Sequence, residues 1–95
     1  MAAYLIVDIT VRDEKRYADY RARVTEQIQQ YGGEYLVRGG RLERLEGDWQ
    51  PSRVVVVKFE SMTAAKKWWE SEDYAELKAI RQATTDTRMI VVDGV

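Results

Sequence analysis

The chain has 95 residues, 45% of them hydrophobic and 33% charged, with 15 basic against 16 acidic side chains and neither histidine nor cysteine. Its length supports one small domain spanning residues 1–95, and a net charge of -1 supplies no field to gather nucleic acid or an anionic membrane. Without His or Cys, one chain has no imidazole catalyst, thiol nucleophile, disulfide, or zinc site with nitrogen or sulfur ligands.

The first segment, "AYLIVDITV" from Ala3 to Val11, is β-branched or aromatic almost throughout, so it predicts a strand apolar on both faces. Asp8 interrupts an apolar run that is too short for a signal or a membrane span and has no basic leader, so a cytoplasmic protein is expected. Asp13 can cap a helix whose apolar positions, Tyr17, Tyr20, Val24, Ile28 and Tyr31, recur at steps of 3, 4, 4 and 3. Its other face carries Arg16, Arg23, Glu26, Gln27 and Gln30 and is expected to be wet. Gly32-Gly33 stops it, because glycine takes the left-handed conformation of a helix cap.

In "EYLVRGGRLERLE" the alternation breaks at Gly39-Gly40: Tyr35 and Val37 share one parity and Leu42 falls on the other. Such a phase switch predicts a β-bulge within one long strand, with a two-residue hairpin turn as the alternative. "GDWQPS" carries turn signals and is the better hairpin loop. "RVVVVKF", Arg53 to Phe59, reads as a central strand. Ser61 can cap a second helical region with Ala65, Trp68 and Trp69 on one side. A break and fresh cap fall at Ser71 to Asp73, and Tyr74, Leu77 and Ile80-Arg81 continue the pattern. Thr87 to Val95 closes the chain as a strand.

The order β-α-β-β-α-β predicts an α+β, ferredoxin-like antiparallel sheet with its helices on one face. Both parities of the first and third strands are apolar, so the face without helices would expose a patch that a monomer seldom tolerates. A second copy packing face to face resolves this, and a homodimer is expected.

Taken together, "AYLIVDITV", "YGGEYLVRGG" followed by "LEGDW" and "VVVVKF", and "WWESEDYAELKAIR" resemble the uncharacterised bacterial family domain of unknown function 1330, in the dimeric α+β barrel superfamily. The resemblance spans nearly the whole chain. It implies a ferredoxin-like protomer, a dimer whose sheets face each other as a barrel, and no established activity; no cofactor is expected. Related barrel families include cofactor-free monooxygenases on aromatic polyketides, lactone isomerases and haem-degrading enzymes, which hold small ligands between sheet and helices. For haem, only Tyr, Met or a carboxylate is present as an axial ligand here.

The candidate catalytic residues are Asp8 and Arg38. A carboxylate inside an apolar strand has a perturbed pKa, and a guanidinium beside glycines can clamp an acid bidentately. The competing reading is structural: a bulge, with Arg38 paired to Asp8 or Glu34. Tyr17, Tyr20, Trp68 and Tyr74 are candidate ligand-binding walls or, at helical spacing, core residues. Trp49, in a loop, is a candidate to seal a dimer or close over a ligand. Lys66-Lys67 beside Glu70, Glu72 and Asp73 make no basic patch, and the scattered carboxylates suggest no metal. Two functions follow: a small-molecule protein, including a cofactor-independent enzyme on a small oxygenated or aromatic acid, or a non-enzymatic homodimeric binding or interaction module.

Overall fold

A computed structural model describes residues 1–95. Its elements are β1 (Ala3–Val11), α1 (Glu14–Gln30), β2 (Glu34–Arg38), β3 (Val54–Phe59), α2 (Met62–Trp69), α3 (Glu72–Thr84) and β4 (Thr85–Asp93). The strands form one antiparallel sheet in the order β2-β3-β1-β4, the ferredoxin-like arrangement. No helix is long and apolar enough to cross a membrane.

The caps account for the helix boundaries. Asp13, Ser61 and Ser71 each accept a hydrogen bond at 3.1 Å from the backbone N–H three residues on, satisfying a donor that the first helical turn leaves free. The Ser71 hydroxyl also donates to the Trp68 carbonyl, at 2.7 Å, so one residue ends α2 and starts α3. Gly32, with φ at 83°, ends α1 as its type predicts. β4 begins at Thr85, two residues before the expected Thr87, because α3 runs directly into it and Thr85 is the cap.

Strand alternation assigns the faces. Leu5, Val7, Ile9, Val55, Val57 and Phe59 point at the helices and are buried against Tyr20, Val24, Ile28, Trp68, Tyr74 and Leu77. Burial of each such side chain contributes on the order of 1.5–3 kcal/mol before entropic costs. Trp68 is fully buried, whereas Trp69, expected beside it, is partly exposed with Lys78 over its ring. The opposite face of the sheet has no helix and presents Tyr4, Ile6, Val54, Val56, Ile90 and Val92. Of these, Ile90 is 61% and Val92 43% exposed.

Two expectations about the middle of the chain are corrected. No long strand passes through Gly39-Gly40: β2 ends at Arg38, and residues 39–53 form a connection without strand pairing, so the leucines of "RLERLE" lie in a loop. The phase switch lies earlier. Tyr35 pairs with Val57 while Val37 pairs with Val56, leaving Leu36 as the extra residue of a bulge. Gly39 is neither bulge nor hairpin centre. Its φ of 70° turns the chain out of the sheet, and an added Cβ would strike the Arg53 guanidinium.

Candidate functional site

The bulge decides what the edge strand offers. In unbroken alternation Tyr35 and Arg38 would face opposite ways. With Leu36 extruded, Arg38 pairs with Val55 and Tyr35 with Val57, so both side chains turn toward the helices. The Arg38 guanidinium lies 4.7 Å from the Tyr35 ring centre and donates to the Arg21 carbonyl of α1 at 3.5 Å.

These residues open into a chamber between sheet and helices, about 40 Å³ in volume, with apolar walls that include Tyr17, Tyr20, Val24 and Trp68. Four arginines line it: Arg21, Arg38, Arg53 and Arg81. No carboxylate does. Only Arg21 has an acid within reach, Glu14 at 3.9 Å, and every other ion pair lies outside the chamber. The Arg53 Nε–H is buried with no hydrogen-bond partner, which in a dry interior costs on the order of 1–3 kcal/mol. Arg81 is 4% exposed and donates from Nε to the Tyr74 hydroxyl at 3.0 Å, which in turn meets the Tyr20 hydroxyl at 2.8 Å.

The phenols stay protonated. Burial raises the Tyr17 hydroxyl above the usual tyrosine range despite the opposing charges of Arg53 and Arg21. Burial, with Tyr74 beside it, raises Tyr20 further, and burial raises Tyr35 against the pull of Arg38. The chamber therefore presents cations and neutral hydroxyl donors, and no base.

Asp8 is not part of it. Even-numbered residues of β1 face away from the helices, so Asp8 projects from the helix-free face and cannot meet Arg38; the structure separates the two candidates that the sequence suggested would converge. Its carboxylate accepts from the Trp49 indole at 3.2 Å, the Ser52 backbone N–H at 3.2 Å and Arg88 at 3.0 Å. Burial alone would raise the Asp8 pKa, but these donors and the Arg88 charge outweigh it and hold the carboxyl below the ordinary carboxylate range. Asp8 is thus ionised at neutral pH and ties the 39–53 connection to the sheet. Trp49 is anchored by that bond yet 54% exposed beside Ile6, Val54 and Ile90. Of the aromatic candidates, Tyr17, Tyr20 and Trp68 reach the chamber, and Tyr74 stands behind Tyr20. No three carboxylates gather closely enough to hold a cation.

Sequence reasoning missed Arg21, Tyr35, Arg53, Arg81 and Arg88. Two of these carried a signal: Arg81 continues the buried stripe Tyr74, Leu77, and Arg53 shares the parity of Val55, Val57 and Phe59.

The family described as Domain of unknown function (DUF1330) matches residues 2–95. The chain belongs to that family. Among curated proteins, none matches the sequence. Among solved structures, this DUF1330 chain is similar to RPA0582, a protein of unknown function from Rhodopseudomonas palustris, at 20% identity and a TM-score of 0.80, over 99% of this chain and 82% of the other. It is also similar to SnoaB, a cofactor-independent oxygenase from Streptomyces nogalater, at 10% identity and a TM-score of 0.67, over 99% and 93%. An antibiotic biosynthesis monooxygenase matches at 14% identity and a TM-score of 0.61, over 100% and 99%. At such identities the likeness is one of fold.

Proposed function

We propose that this protein binds a small oxygenated organic acid in the chamber between sheet and helices. One observation carries the reading: Arg21, Arg38, Arg53 and Arg81 line one apolar space with no carboxylate among its walls, and Arg53 holds a buried donor unused. Like charges gathered in low dielectric repel, and an anion relieves both that repulsion and the orphaned N–H. Arg38 and Arg53 serve as carboxylate anchors, and Tyr17, Tyr20 and Trp68 as walls.

Size selects within the class. A cavity of about 40 Å³ admits a few water-sized groups, so an acid of a few carbons fits as the chamber stands. An aromatic acid requires the exposed Arg21 and Arg38 to swing outward. The fold shared with SnoaB, a cofactor-independent oxygenase, supports small-molecule chemistry, whereas the lack of a base in the chamber favours binding without proton abstraction. The test is calorimetric titration with propionate, lactate and pyruvate against propionamide. The acids should bind and the amide should not, and Arg53→Met should weaken the acids at least tenfold without loss of thermal stability. Equal binding of acid and amide would sink the reading.

The helix-free face supports a second copy as the partner. The protein is a slab, 37 × 33 × 17 Å, and exposes 6337 Å², against about 5700 Å² for a compact monomer of its mass. Apolar side chains on that face, with Trp49 at its margin, fit a self-complementary interface. Light scattering should give twice the chain mass, and Ile90→Glu should reduce it to one.

A further inference from the structure

The Tyr20–Tyr74 pair has one hydroxyl proton more than its contacts use. Two phenols bring two protons, and the single bond between their oxygens, at 2.8 Å, consumes one. The Tyr74 oxygen already accepts from Arg81 Nε at 3.0 Å. If Tyr20 donated to Tyr74, that oxygen would accept twice, and the Tyr74 proton would be stranded in a side chain with no exposed surface and no place on the chamber wall. A stranded buried donor is costly. If Tyr74 donates to Tyr20, every group behind the wall is satisfied and the spare proton belongs to Tyr20, which does line the chamber. The Arg81 charge polarises the Tyr74 hydroxyl in the same direction, since successive bonds in such a chain reinforce one another.

A cation stands at each end of this row. Arg21 lies 5.5 Å from the Tyr17 ring centre, Tyr17 stacks on Tyr20 at 5.4 Å, and Tyr20 meets Tyr74 edge-on at 6.4 Å, with Arg81 beyond. The exposed Arg21 and Arg38 sit at one end and the enclosed hydroxyl relay at the other.

We infer that Tyr20 is a specificity-determining residue: its hydroxyl, oriented by Tyr74 and Arg81, donates to an uncharged oxygen on the acid, so the preferred ligand is an oxo acid rather than a simple alkanoate. The inference rests on the chamber being the acid site. A carbonyl oxygen supplies the acceptor that the spare proton lacks, while a methylene leaves it unpaired.

The test compares each oxo acid with its parent at two chain lengths, pyruvate with propionate and 4-oxopentanoate with pentanoate, by titration calorimetry. The native protein should favour the oxo acid about tenfold at one length or both. Tyr20→Phe should collapse that ratio to about one, the loss falling on the oxo acid more than on its parent, a readout that a merely structural role would not move. Tyr74→Phe, which leaves the Tyr20 hydroxyl in place but unaligned, should reduce the ratio in part. Binding of all four acids with no oxo preference overturns the role of Tyr20 and leaves the acid site standing; no binding of any acid removes both. Retention of the preference in Tyr20→Phe overturns the inference outright.

Discussion

On the helix-free face of the sheet one carboxylate meets three donors; on the helix side four guanidinium groups meet one carboxylate, at 3.9 Å. Both clusters place charge among apolar strands, and either looks like chemistry when only residue types are considered. The difference is satisfaction. Asp8 has the partners a buried carboxylate needs, its pKa is displaced toward permanent ionisation, and what it does is hold Trp49 and Ser52 against the sheet. The chamber arginines have cations in excess and an orphaned N–H, the two features that the proposed acid would answer. A perturbed group with all its bonds made braces the fold, and one with bonds to spare is where a ligand is worth testing.

The largest effect should come from breaking the satisfied side. Asp8→Asn leaves the Trp49 and Ser52 donors with a poorer acceptor and is expected to lower stability by about 2–3 kcal/mol, the scale of hydrogen bonds to a charged group. For a domain this size that lowers Tm by roughly 10–20 °C. The pH dependence follows from the direction of the shift. A carboxyl whose folded pKa lies below its unfolded value, about 3.9, stabilises fully above that value and loses the contribution as pH falls through the folded one. The gap between native protein and Asp8→Asn should therefore be complete at pH 7 and shrink below about pH 4. A gap that widened on acidification would show that the folded state prefers protonated Asp8, and would return it to the list of acid–base groups.

A smaller effect should come from Gly39→Ala, which touches the other side. Forcing a side chain into positive φ costs about 1–2 kcal/mol. The added Cβ meets the tip of a flexible arginine rather than backbone, so the steric part is relieved by displacing the Arg53 guanidinium. Acid binding should thus fall further than the loss of stability explains. If Gly39→Ala destabilises and binding is untouched, Arg53 is not an anchor.

How far the sequence revealed these two sides depends on the range over which each is determined. Caps at Asp13, Ser61 and Ser71 are written within four residues, and the stripe Tyr17, Tyr20, Val24, Ile28 within four turns, so both were legible. The partner of Asp8 was not, because Arg88 reaches it only through the pairing of β1 with β4, 80 residues along the chain. The bulge at Leu36 was hidden for a related reason. Nothing in "EYLVR" marks an extra residue, and Gly39-Gly40, three positions on, offered a more familiar signal. With the extra residue at Gly39-Gly40 instead of Leu36, Arg38 would take the parity opposite to Tyr35, the face on which a pair with Asp8 is feasible. Arg81 was legible in place but not in role: its position on the stripe Tyr74, Leu77 marks it as buried, yet the Tyr74 hydroxyl it meets is fixed only by packing.

The smallest expected effect sharpens the comparison most. Arg88 completes the Asp8 cluster by distance, at 3.0 Å, but its side chain is 77% exposed, so its attraction is weakened by water and salt. Arg88→Ala should cost less than about 1 kcal/mol, and that cost should vanish in molar salt, because the Trp49 and Ser52 donors still satisfy the carboxylate. In a double-mutant cycle, the Asp8–Trp49 coupling should then exceed the Asp8–Arg88 coupling. If Arg88→Ala instead costs as much as Asp8→Asn, the cluster is held by its ion pair and the connection 39–53 is a passenger. Removing Arg88 would then leave Asp8 an uncompensated carboxylate, and the contrast between a closed side and an open one would lose its basis.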